Sequence, residues 1–274
     1  MRALRHVRIA AVQLDTREEV TGNLAQATTL IRQAARSEVS LIALPEHVLY
    51  IGPDPQPTFS LRSPEVLALC ALAQVHRVWL LVGSVQERSR RRPQQGAPHR
   101  HYNTSLVIRP DGSIAARYRK IHQFQCRLPN GRSIREESLP GRKSVVAETP
   151  FGTLGLSICY DLRMPELYGR LARRGATLLA IPSNFTAFTG AAHWETLLRA
   201  RAIENQAFVI APAQCGMKSA TRSFGHTMIV DPWGRVLAER RADSPGIVVA
   251  TLDLRSVDHC RTRLPALHDR FATR

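Results

Sequence analysis

Short apolar segments alternate with stretches of helical periodicity along the whole chain. That alternation restricts the fold to a layered α/β arrangement. Residues 7–14 predict a first strand, and 23–36 a helix with Leu24, Ala27, Leu30, Ile31, Ala34 and Ala35 near helical spacing. Residues 41–44 predict a short buried strand that ends at Pro45-Glu46, and 64–76 a helix with proline in its first turn, where it is tolerated. A strand over 78–86 follows, then strands 102–109 and 114–118 around Pro110-Asp111-Gly112, a hairpin signal. The second half repeats the pattern. Strands 145–148 and 153–158 flank Pro150-Phe151-Gly152, and helix 165–174 closes at Gly175 as a C-cap. Strand 177–181, helix 191–204 and strand 208–211 come next, then strands 226–230 and 235–238 around Asp231-Pro232-Trp233-Gly234. A strand over 247–252 is the last, and the tail to Arg274 reads as polar and irregular. The hairpins make the sheets mixed. No linker divides the chain, which predicts one domain over residues 1–274.

No window approaches the ~18–20 apolar residues that span a bilayer, so no membrane association is expected. The apolar run near the N-terminus is broken by Arg8 and Gln13 and lacks a small-residue cleavage site. It reads as a strand, which predicts a cytoplasmic chain. Five widely spaced cysteines argue against a disulfide framework or a zinc site. His259-Cys260 is too isolated for a metal site, and no metal or cofactor is expected. Lys and Arg outnumber Asp and Glu 38 to 22, a net charge of +16. Such charge allows a nucleic-acid partner. The basic residues are nonetheless spread along the chain. The one dense run, 88–101, is rich in Pro, Gly and Gln and lies between two strands, as a solvated hairpin insertion would.

Three segments carry residues suited to chemistry. Cys159 ends an apolar strand just before a turn and a helix, a place from which a thiol projects into a cleft. Backbone N–H groups at such a turn can face an oxyanion. By itself, a free cysteine is more often a small buried hydrophobe. Glu46 ends the strand LIALPE, where burial would raise its pKa and suit it to act as a base; a surface carboxylate is the plainer alternative. Lys120 follows IAARYRK, either as a solvated strand end or as a cation beside a tetrahedral intermediate.

Taken together, LPEH, YRKIH and SICYDLRMPEL, in that order, resemble the nitrilase, or carbon–nitrogen hydrolase, superfamily. The likeness extends from VRIAAVQLDT through IPSNFTAFTGAAHWETLLRARAIENQAFVIAPAQCG and SFGHTMIVDPWGRVLAE to RTRLPALHDRF. Within the superfamily, the second-half segments are most similar to the Nit branch of small ω-amide hydrolases, on the deaminated glutathione amidase side. The resemblance implies a four-layer αββα sandwich with two mixed sheets, a homodimer or higher homo-oligomer, a small-molecule amide substrate and no cofactor. It implies Cys159 as nucleophile, Glu46 as general base, Lys120 as electrostatic stabiliser and the Tyr160 N–H as an oxyanion donor. A second glutamate falls in RSIREESLPG, at Glu136 by its Arg-Glu pair or at Glu137. Asn184, Phe185 and Thr186 follow a strand and fit a pocket lining, with loop packing as the alternative. Arg199 and Arg201 fit a substrate carboxylate or, equally, a helix surface or dimer contact. His193, Trp194 and Cys215 read as structural. His47 and the loop IGPDPQPTF depart from the family pattern. Nitrile or N-carbamoyl hydrolysis, and nucleic-acid binding without catalysis, are the competing expectations.

Overall fold

The computed structural model describes residues 4–90, 100–129, 131–219 and 221–272. Its first half runs β1 (His6–Gln13), α1 (Val20–Ala35), β2 (Leu41–Ala43), α2 (Pro64–His76), β3 (Trp79–Arg88), β4 (His101–Ile108), β5 (Ile114–Arg119), β6 (Gln125–Arg127) and β7 (Ser133–Arg135). Its second half runs β8 (Val145–Thr149), β9 (Gly152–Leu156), a 3-10 turn at Cys159–Arg163, α3 (Pro165–Arg173), β10 (Leu178–Ala180), α4 (Ala187–Asn205), β11 (Phe208–Ala211), β12 (Thr227–Val230), β13 (Val236–Arg240), β14 (Gly246–Asp253), α5 (Arg255–Arg263) and α6 (Ala266–Ala272).

The strands form two six-stranded mixed sheets. One has the order β14-β1-β2-β3-β4-β5 and the other β13-β12-β11-β10-β9-β8. In each, three central strands run parallel and the flanking ones antiparallel. The period-2 alternation of β1 explains the layering. Ile9 and Ala11 face the core shared with the second sheet. Ala10 and Val12 face the core shared with the helices. There α1 supplies Ala27, Leu30, Ile31 and Ala34, and α2 supplies Val66, Leu69 and Ala73. On the other side, Leu167 and Leu171 of α3 and Trp194 and Leu198 of α4 cover the second sheet. The result is the αββα sandwich that the resemblance implies. Each fully buried Leu, Ile or Val in these layers contributes about 1.5–3 kcal/mol.

The tail is a correction to the sequence reading. It is helical as α5 and α6, not irregular. Among its described residues only Val257, Cys260 and Leu267 are buried, too few apolar positions for a helical period to show. The hairpin β6–β7 also gave no strand signal, since its residues are half-buried or exposed. Helix α4 begins four residues before the expected 191, because Thr186 caps it through Thr189 N–H. The basic run 88–101 lies mostly outside the described residues, but its ends, Arg88 and His101, pair across β3 and β4. No helix among the described residues is long and apolar enough to cross a membrane.

Gly83, in β3, brings the two halves together. A Cβ there would collide with the carbonyl oxygens of Leu44 and Pro45 and with the Cβ of Pro182, beyond β10. Its lack of a side chain lets the loop carrying Glu46 meet the second sheet. Gly83→Ala must therefore displace backbone. The expected outcome is a loss of about 1–3 kcal/mol in thermal unfolding, with a larger fractional loss of hydrolysis than of folded protein.

Candidate active site

The site forms where strand ends converge. Glu46 follows β2, Lys120 follows β5, Cys159 follows β9 and Asn184 follows β10. In open α/β sheets such carboxyl ends are where ligands bind.

Cys159 adopts φ 49°, a left-handed conformation that costs a non-glycine residue about 1–2 kcal/mol. Its surroundings hold it there. Its N–H donates to Pro182 O at 3.0 Å. Two residues on, the buried Asp161 carboxylate accepts from Ile158 N–H (3.0 Å), Tyr118 OH (2.6 Å), His122 N–H (3.1 Å) and His122 Nδ1 (2.6 Å). Burial, together with Asp161, pushes the Tyr118 hydroxyl well above its usual range, so it remains a donor. Arg201 Nε donates to Leu162 O at 3.0 Å and fixes the far end of the 3-10 turn.

Around the sulfur, charges alternate. Lys120 Nζ donates to Glu46 Oε1 at 2.8 Å and to Glu136 Oε2 at 2.6 Å. Asn103 Nδ2 donates to Glu46 Oε1 at 2.8 Å and to Glu136 Oε1 at 3.0 Å. Asn184 N–H donates to Glu46 Oε2 at 2.9 Å. Phe124 N–H (3.1 Å) and Ser138 Oγ (2.7 Å) complete the shell of Glu136. Two carboxylates are thus bridged twice, once by an ammonium and once by a neutral amide. The second glutamate in contact with Lys120 is Glu136, delivered by β7.

The electrostatics follow from this arrangement. Burial pushes the Glu46 carboxyl up, but Lys120, joined by His47 when its ring is charged, outweighs it, and the group sits below its ordinary value. This reverses the raised pKa expected from burial at a strand end, because no strand pattern reveals a lysine 74 positions away. Glu136 is also pushed up by burial and pulled down further by Lys120, to about 2. Burial lowers and the two glutamates raise the Lys120 ammonium, which ends well above its usual range and stays charged. Burial and the Glu46 charge push the Cys159 thiol well up, against a smaller pull from Lys120. At rest the proton is on sulfur and the charge is on Glu46, a thiol facing a carboxylate base.

A stability consequence follows. The folded pKa of Glu136 lies below its ordinary 4.5, so its ionised form stabilises the fold above that value. The contribution is lost as pH falls from 4.5 towards about 2. The thermal midpoint is expected to drop through this window, and Glu136→Gln to make the drop shallower.

The other expected site residues divide. Tyr160 packs edge-on against Phe124 at 5.5 Å. Phe185 is buried against Trp194 at 4.9 Å. Asn184 meets Glu46 through its backbone, while its Oδ1 accepts from Ser223 Oγ at 2.6 Å. The Thr186 hydroxyl is occupied as the α4 cap. Arg199 is held by Gly234 O and Glu195, and Arg201 by Leu162 O and Glu204, so both guanidiniums anchor structure. Trp194 Nε1 donates to His226 O at 2.8 Å. All five cysteines are free, and burial pushes the Cys215 thiol up to about 11. Asn103, Asp161 and Arg163 went unnoticed in the sequence. Arg163 lies over the rings of Phe185 (5.2 Å) and Tyr160 (5.8 Å), with His193 Nδ1 at 3.3 Å. Its position four residues after Cys159 was the available signal.

Residues 8–262 match the family described as carbon-nitrogen hydrolase, and the chain belongs to that family of enzymes. It is 39% identical over 272 residues to the deaminated glutathione amidase of Synechocystis, covering 95% of this chain and 97% of that one. It is 38% identical to the deaminated glutathione amidase of Mus musculus, covering 96% and 82%. Among solved structures, Saccharomyces cerevisiae Nit3, a member of branch 10 of the nitrilase superfamily, superposes with a TM-score of 0.83 at 30% identity, covering 97% of each chain.

Proposed function

We propose that residues 1–274 form a single hydrolase domain that cleaves a small ω-amide to a carboxylate and ammonia through a thioester on Cys159. The observation that carries this reading is the meeting of a charged Lys120 and an ionised Glu46, 2.8 Å apart, beside a neutral Cys159 thiol. Glu46 takes the thiol proton as sulfur attacks the amide carbonyl. Lys120 and the Tyr160 N–H, in the first turn of the 3-10 segment where such groups lack helical partners, stabilise the oxyanion. Loss of one such donor typically costs about 10²–10³ in rate. The C–N bond then breaks, and Glu46 returns the proton to the departing ammonia. Water gives a proton to Glu46 and attacks the thioester, releasing the acid and restoring the thiol. Glu136 keeps Lys120 charged and in place.

The relatives' names direct the substrate reading to deaminated glutathione and kindred ω-amides. Arg163 supports it. Among the described residues it makes no ion pair, and it lies over two rings that flank the nucleophile, where it suits a substrate carboxylate. Phe185 and Tyr160 lie under this guanidinium, and Asn184, next to Phe185, reaches Glu46 through its backbone. A cytoplasmic homodimer, acting on a small molecule without nucleic acid, accords with the family reading.

The test is an ammonia-release screen over ω-amides, including deaminated glutathione and α-ketoglutaramate, with nitriles and N-carbamoyl amino acids as comparators. Release from ω-amides, with Arg163→Ala raising KM for carboxylate-bearing ones, is the expected result. Turnover of nitriles or N-carbamoyl compounds alone would overturn the reading.

A further inference from the structure

The residue after Glu46 is a histidine held in a left-handed backbone, φ 58°. The chain on either side of it is pinned. Gln214 Nε2 donates to Glu46 O at 2.7 Å, His47 N–H donates to Ser84 Oγ at 2.8 Å, and Val48 N–H donates to Ser84 O at 2.9 Å. The ring is thereby set beside the base, with Nε2 3.7 Å from Glu46 Oε1. The side chain is 17% exposed, within reach of solvent protons.

Its other nitrogen faces the Gln86 side chain. Nδ1 lies 3.3 Å from Gln86 Nε2, which also donates to Tyr50 O at 2.8 Å and to Gln56 Oε1 at 3.1 Å. The two Gln86 amide hydrogens are taken first by the nearer Tyr50 O and Gln56 Oε1, so the ring meets this amide only through a longer, shared contact; a neutral ring that carries its proton on Nε2 points it towards Glu46. A second proton on Nδ1 would confront the Gln86 amide hydrogens. Gln86 Oε1 is buried without a partner, and an amide rotation would offer it to that proton at the expense of Tyr50 O. The two ring states therefore belong to two arrangements of one network. The charged groups around the ring are Glu46, with Lys120 on its far side, Glu136 and His101. The Glu46 carboxylate already accepts from Lys120, Asn103 and Asn184. One more cation at its edge would take away most of its remaining affinity for the Cys159 proton.

We propose that His47 is a positioning residue that sets the acid limit of the reaction: its neutral ring leaves Glu46 able to accept the Cys159 proton, and its imidazolium form abolishes that ability. The proposal deepens the amidase reading and rests on it for turnover, while the proton transfer from Cys159 to Glu46 is measurable without a substrate. Iodoacetamide forms an S–C bond to Cys159 and releases iodide as Glu46 takes the thiol proton. Its rate at the peptide containing Cys159, followed by mass spectrometry against pH, reports that transfer. His47→Asn tolerates the left-handed backbone and keeps a donor but does not titrate; His47→Gln is the second variant should the first fail to fold.

The wild-type rate is expected to fall about tenfold per pH unit along its acid limb, and the acid limb of the variant to lie about one pH unit or more lower. Ammonia release should shift in parallel. An unmoved limb, or a variant slowed equally at every pH, would overturn the proposal. Shifted alkylation with no amide hydrolysed would instead overturn the amidase reading and leave the role of His47 standing.

Discussion

Cys159→Ala is expected to reduce ammonia release by about 10⁴-fold or more, the scale of loss seen when a covalent nucleophile is removed, and to leave the fold intact. Alanine fills nearly the same space, and the loss of a buried sulfur is a small perturbation beside the Asp161 network that anchors the turn. The thermal midpoint should stay close to the wild-type value. The thiol is neutral in the fold, so its removal leaves no buried charge unpaired, and alanine is no worse than cysteine in a left-handed backbone. Activity assays and thermal unfolding on the same preparation check both halves. Full activity in the variant would end the covalent mechanism.

Lys120→Met should damage both stability and catalysis. The ammonium is 1% exposed and bridges two carboxylates whose only other nearby cation, among the described residues, is the His47 ring when charged. Its removal leaves Glu46 and Glu136 tied only by the neutral Asn103 amide. Breaking a buried ion pair from one side costs about 3–5 kcal/mol, and one of the two carboxylates must take up a proton on folding. The pH dependence then reverses. In the wild-type protein both glutamates lie below their ordinary values, so their stabilisation is complete above 4.5 and is lost only as pH falls below it. In the variant the shared pair lies above that value. Its folded state is therefore favoured at low pH and loses stability as pH rises through the raised value. Thermal midpoints measured from mildly acidic to alkaline pH should fall with rising pH in Lys120→Met and not in the wild type. Ammonia release should drop by about 10³-fold or more, since the oxyanion and the ionised base lose the same cation.

The sequence made the repeating strands and helices readable because one-sided burial writes its period into the chain. Helix α2 begins at Pro64 and ends at His76, as proline punctuation and spacing predict. The positions of Glu46, Lys120 and Cys159 were readable from the ordered motifs LPEH, YRKIH and SICYDLRMPEL and their family resemblance, since a strand end alone fits a surface carboxylate, a solvated lysine or a buried thiol as well. What the sequence concealed depends on partners distant in the chain. Asn103 is an ordinary strand residue until Glu46, 57 positions away, and Glu136, 33 away, fold against its amide. The direction of the Glu46 shift was misread for the same reason: burial is visible locally, whereas the countering ammonium is not. The tail helices were missed because α5 and α6 bury only a few side chains and remain polar elsewhere. The choice between Glu136 and Glu137 needed the β6–β7 hairpin, which turns the first of them towards Lys120.

The most direct measurement of the central claim is mass spectrometry of enzyme acid-quenched during turnover of an ω-amide. The peptide containing Cys159 is predicted to gain the mass of the substrate's acyl group, with ammonia already in solution. An acyl adduct on Cys215 or Cys126 instead, or an unmodified Cys159 peptide in every quench while ammonia continues to form, would contradict it.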